Sequence, residues 1–174
     1  MDDDADLRDA VRALAERVAA LEGSRAPVAP PAAPDDETYW ALDGLVARRG
    51  QDETTARGSV MMVGSVEVPT GGTVSWQQEA GSEGLIEVEW GDRATAFAAL
   101  GHPVRVELLR RILQGVRTTA ALAALDELGT TGQLHHHLRQ LVAAGWVRQS
   151  GRGSYEIPAG RIVPLLVCIV AAER

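Results

Sequence analysis

The chain has 174 residues, enough for one domain with an appendage or for two small domains. It is 45% hydrophobic but only 4% aromatic, so its core must be built mainly from Ala, Leu and Val. The single cysteine, Cys168, excludes an intrachain disulfide and any multi-cysteine metal site, and the net charge of −7 argues against phosphate binding by the chain as a whole.

That charge is unevenly spread. Residues 1–93 carry 8 Arg against 19 Asp and Glu, a net −11, whereas residues 94–174 carry 9 Arg against 5 acids, a net +4. Any contact with phosphate therefore belongs to the C-terminal half. The N-terminus begins Met1-Asp2-Asp3-Asp4 with no basic stretch, and the longest apolar run, Ile162 to Ala172, is too short to span a bilayer. The expectation is a soluble, cytoplasmic protein with no membrane partner.

In chain order, the first element is a helix from Asp3 to Glu22. Leu7, Val11, Leu14, Val18 and Leu21 form a heptad stripe, and Gly23 ends it. Two heptads are marginal alone in water, so region 1–23 is expected either to pair with its copy as a coiled coil or to pack on its own domain, the third option being a disordered tail. Residues 24–37 are a Pro-rich linker. Region 38–91 opens with a short helix over Thr38–Arg49, then changes period to two. Val60, Met62, Val66 and Val68, then Val74, Trp76 and Gln78, then Ile86, Val88 and Trp90 alternate with polar positions. This predicts a three-stranded antiparallel β meander, a regulatory or dimerisation region whose apolar face is covered by the Thr38–Arg49 helix or by the C-terminal domain.

Region 92–174 reads as helices. Asp92 caps a helix over Arg93–Leu100; Pro103 opens one running to about Gln114; Thr118 or Thr119 caps one through Leu128; Thr130 or Thr131 caps one to about Ala144, ended by Gly145. The last two are separated by a short turn at Gly129, which is helix-turn-helix spacing. Leu134, Leu138 and Leu141 fall on one face of the fourth helix, with polar residues opposite. Such a helix can enter a major groove, with Gln133, His136 and Arg139 reading bases and Thr131 and His135 holding phosphates. Arg148 and then Arg152, on the glycine-flanked tip of a hairpin over 146–158, extend the phosphate contacts.

The stretch Ala99-Leu100-Gly101-His102-Pro103-Val104-Arg105-Val106-Glu107-Leu108-Leu109 resembles the opening signature of the ArsR family. Leu134-His135-His136-His137-Leu138-Arg139-Gln140-Leu141-Val142-Ala143-Ala144-Gly145-Trp146-Val147 resembles that family's recognition helix and the entry to its wing. The resemblance covers 92–174 and implies a winged helix-turn-helix dimer acting as a regulator, usually a repressor. The dimer interface it implies is the apolar C-terminal helix, with Leu165, Leu166 and Ile169, to which the heptad residues Leu7, Val11, Leu14 and Val18 are added. The family's metal sensors carry a cysteine pair in the helix before the recognition helix; the matching stretch Leu122–Leu128 has none. No metal and no cofactor are expected.

His135-His136-His137 cannot converge on one ion from consecutive helical positions. His137 is expected at a core edge with a hydrogen bond, and His102 as a turn residue. Cys168 reads as core. No catalytic set stands out, so the chain is not read as an enzyme. The expected fold class is α+β: an N-terminal helix and a three-stranded antiparallel β meander followed by a winged helix-turn-helix domain. The expected function is sequence-specific binding of duplex DNA at a pseudo-palindromic operator by a homodimer. The alternatives are a protein-interaction module on the same scaffold, and a regulator that senses a small-molecule or protein effector, the former in a pocket around Met62, Trp76 and Trp90.

Overall fold

The computed structural model describes residues 11–14, 16–17, 38–125 and 128–173. The chain divides into two units, Met1–Gly44 and Leu45–Arg174. In the first, residues 11–14 and 16–17 are helical, and Val11 and Leu14 are exposed. Leu7, Val18 and the linker 24–37 lie outside the described residues. Helix α1 spans Trp40–Ala47, and Gly50, with φ 82°, follows its end.

Period-two patterning produces β1 (Ser59–Glu67) and β2 (Thr73–Gly81), which pair antiparallel with Gly64 opposite Trp76. Gly71 and Gly72 take φ of 98° and 89° in the turn between them, where Val68 N–H donates to Gly72 O at 2.9 Å. One face carries Ser65 and Ser75, whose hydroxyls are 3.1 Å apart. The opposite face, with Gly64, Val66, Val74 and the partly exposed Trp76, turns toward the C-terminal helix. Its cover is the C-terminal helix α7 (Ala159–Ala171). A Cβ at Gly64 would lie 2.7 Å from Val163 Cγ1, and one at Gly160 would lie 3.2 Å from the Trp76 ring. Paired glycines thus let strand and helix approach closely.

The expected third strand does not form. Ser82–Glu87 is a helix, α2, followed by a 3-10 turn at Trp90–Arg93, and the sheet has two strands. Three alternating apolar residues with acids between them bury nothing here: Ile86 is 73% exposed and Trp90 69%. The Trp90 indole N–H instead donates to Leu85 O at 2.8 Å. Asp92 consequently sits inside the 3-10 turn, and α3 (Ala94–Leu100) starts without a side-chain cap.

The remaining helices keep their expected starts. Pro103 is the first residue of α4 (Pro103–Leu113), where its missing N–H costs nothing. His102 precedes it, and its Nδ1 accepts from Val104 N–H at 3.2 Å, which makes it a capping turn residue. Thr118 caps α5 by accepting from Ala121 N–H; the helix covers Thr119–Ala123 and stops well short of Leu128. Gly129, at φ 78°, turns the chain into α6 (Thr131–Ala143), and Gly145, at φ 72°, ends that helix. Strands β3 (Arg148–Gly151) and β4 (Ser154–Glu156) form the second small antiparallel sheet. Helices and two small sheets together make a mixed, α+β type of architecture.

One apolar core joins α4 to α7. Leu108, Leu109, Ile112, Leu122, Leu128, Leu134, Leu138 and Leu141 are all buried, with Trp146, Ile157, Ile162 and Leu165 around them. Each such side chain contributes about 1.5–3 kcal/mol of transfer free energy. Trp146 satisfies its indole N–H on Ala96 O at 3.0 Å, and Arg161 lies over its ring at 5.2 Å. Arg105 ties the α3–α4 corner by donating to Ala98 O and Ala99 O, both at 2.7 Å. Leu165 is 4% exposed and belongs to this core, which corrects its expected place in a dimer interface. No helix among the described residues is long and apolar enough to cross a membrane.

Candidate nucleic-acid interface

Helix α6 presents two unlike faces. Leu134, Leu138 and Leu141 are at most 1% exposed and anchor it. Thr131, His135 and Arg139 follow one another at four-residue spacing on the solvent side, beside His136 and Gln140. Arg139 makes no hydrogen bond or ion pair with any described residue, so its guanidinium is available to an external acceptor. The first turn of α6 also offers backbone N–H groups and the positive end of the helix dipole.

Gln133 is placed differently from the base-reading role expected of it. Its Oε1 accepts from Thr130 N–H at 2.9 Å and from the Thr130 hydroxyl at 3.1 Å, while Thr130 Oγ1 accepts from Gln133 N–H. This is a capping box, and it consumes the amide oxygen that bidentate adenine pairing requires. Gly129 makes room for it: a Cβ there would lie 2.6 Å from Gln133 Oε1. The spacing Thr130-x-x-Gln133 just ahead of the leucine stripe was the signal that identifies the box in the sequence.

Arg148 is also committed. It faces Glu156 across the β3–β4 ladder, and its Nε donates to Glu156 Oε1 at 2.7 Å. Its charge is neutralised within the hairpin, so it does not stand free for phosphate as expected. Arg152 occupies the turn between the strands, is exposed, and has no partner among the described residues. The hairpin is tied back to the helices, because Thr119 N–H and hydroxyl both donate to Gly153 O and Tyr155 N–H donates to Arg117 O.

His137 lies at the edge of the core, but without the expected hydrogen bond: its Nδ1 is buried and unpartnered. Its ring instead lies 4.6 Å from that of His102. Burial holds the His137 pKa below its ordinary value, helped by the nearby positive potential of His102, Arg105 and His136. No group of three or more His, Cys, Asp or Glu among the described residues is arranged to hold a metal ion.

Met62 and Trp76 share the inner face of the β1–β2 hairpin, while Trp90 stands in the exposed 3-10 turn outside it. The three thus stand on two different elements, the hairpin face and the turn after α2. On α7, Ile169 and Val170 are exposed and Leu166 is half-buried. No family model and no curated protein match the chain.

Proposed function

We propose that the protein is a sequence-specific DNA-binding transcriptional regulator, a repressor, built on a winged helix-turn-helix of ArsR-like type without metal-sensing cysteines. The observation that carries this reading is α6 itself. Its leucine face is fully buried, and its opposite face exposes Thr131, His135, His136 and the unpaired Arg139. A short glycine turn precedes it, and a hairpin with the unpaired Arg152 at its tip follows.

In this reading His136 and Arg139 read base edges, while Thr131, His135 and Arg152 hold phosphates. Gln133 orders the start of the helix, and Arg148 braces the wing. The chain works as a homodimer through the exposed side of α7, where Leu166, Ile169 and Val170 are available, and through the heptad stripe that includes Val11 and Leu14. Two recognition helices then require a pseudo-palindrome with half-sites about 10 bp apart.

Selection of bound sequences from random duplexes tests the activity and the spacing together. Arg139→Ala should weaken operator binding by about 1–3 kcal/mol. Equal affinity of variant and wild type at matched salt would remove Arg139 from base reading. A second reading, a protein-docking module on the same scaffold, is favoured by the commitment of Gln133 and Arg148 to internal partners. Duplex binding that falls steeply with salt eliminates it.

A further inference from the structure

A cleft of about 200 Å³ lies between the β1–β2 turn and the helical core, and it is separate from the solvent face of α6. Ile112, Ile157 and Ile162 make one side of it apolar. The other side carries Thr70, Arg117, Arg148 and Glu156. The wall at Thr70 stands close because residue 115 is glycine: a Cβ there would lie 3.2 Å from Thr70 Cγ2.

The lining holds two arginines and one glutamate, a net charge of +1. Arg148 is spent on Glu156 at 2.7 Å, so the uncommitted charge is Arg117. Arg117 Nη2 donates to Thr70 Oγ1 at 3.1 Å. Its Nε is buried with no acceptor, and Nη1 has none among the described residues. With Nε closed off, the guanidinium offers an incoming anion its Nη groups, and a carboxylate accepts from these in charge-assisted bonds. For size, a dry cavity of about 150 Å³ holds a benzene ring.

We propose that this cleft binds a small organic monoanion: a carboxylate with one ring or a short alkyl chain, its charged end on Arg117 and Thr70 and its apolar end against Ile112, Ile157 and Ile162. A single negative charge matches the single uncommitted cation, and the isoleucine side favours a ligand with an apolar end over a bare inorganic anion. The claim rests on the cleft and not on the DNA reading; in a regulator the site would be an effector site, since Arg117 O also accepts from Tyr155 N–H in the β3–β4 hairpin.

The test uses the full chain without DNA. Amide spectra are recorded during titration with acetate, hexanoate, benzoate and the neutral analogue benzamide. Benzoate or hexanoate should shift the amides of Thr70, Leu113, Arg117 and Ile157, and bind at least about tenfold more tightly than benzamide or acetate. Arg117→Gln should lose that preference for the anion. Failure of every carboxylate to shift these amides at millimolar concentration overturns the proposal, and so does equal binding of benzoate and benzamide to the wild-type chain. The second comparison needs no variant and stands even if Arg117→Gln fails to fold.

Discussion

The helices α4–α7 and the segment from β1 through the Trp90 turn, all within Leu45–Arg174, handle their apolar residues in opposite ways. In the helices, leucines at three- and four-residue spacing are removed from solvent almost completely, eight of them and their neighbours forming one core. In the β1–β2 hairpin and α2, no residue is fully buried, and Val60, Val63 and Ile86 stay exposed. A two-stranded hairpin is marginal by itself in water. It is held here by docking on α7 and by the contacts of its turn, not by a core of its own. The helices supply the stability, and the hairpin is attached to them.

Substitutions can break that contrast, the largest first. Leu138→Ala removes a side chain that is 1% exposed from the centre of the helical core and should cost about 2–5 kcal/mol, read as a lower urea midpoint by circular dichroism. Gly64→Val puts a branched side chain where Val163 already stands, and should cost about 1–3 kcal/mol. Its signature should be local: hydrogen exchange should speed up at β1 and β2 amides while α4–α6 amides keep their protection. If both regions lose protection together, hairpin and helices form one cooperative body and the contrast fails.

A smaller effect is expected from acid. Hydrogen bonds from Arg110 and Arg111 hold the Glu107 carboxyl at a pKa of about 2, against an ordinary 4.5. The unfolded chain therefore takes up this proton at higher pH than the folded one. The stability from this pairing is complete above about pH 4.5 and is lost as pH falls toward about 2. Solvent at this partly exposed pair reduces its size. The difference in stability between wild type and Glu107→Gln should be constant near neutrality and shrink through that window; a difference that does not change with pH would rule the pairing out. The smallest effect belongs to Ile86→Ser, expected within about 0.5 kcal/mol because Ile86 is already exposed. A loss comparable with Leu138→Ala would show that α2 packs on something.

Helix starts and ends were legible because they depend on local chemistry. Pro103, Thr118, Thr130 and Gly145 each act through their own backbone geometry or through a bond within a few residues. The leucine stripe of α6 was legible for the same reason: its period belongs to the helix. The third strand was misread because three alternating residues do not separate a strand from a short helix when nothing packs against them. Roles that depend on distant partners were out of reach. Arg148 faces Glu156 only because the β3–β4 register places them opposite, and Arg117 meets Thr70 across 47 positions of sequence. Gln133 lies between these cases, since its partner is three residues away and the motif was there to be read.

The glycine at position 64 does more than allow close approach. Its neighbours on the same face, Met62 and Val66, both carry side chains, so sliding the hairpin by two residues along α7 would drive one of them into Val163. At the far end of β2 a second glycine acts as another stop, because a Cβ at Gly81 would fall 1.8 Å from Thr54 O. Two missing side chains thus work as a two-point key, giving the hairpin a single seat. An insertion in a strand between Gly64 and Gly81 would move one stop relative to the other and leave no position in which both fit.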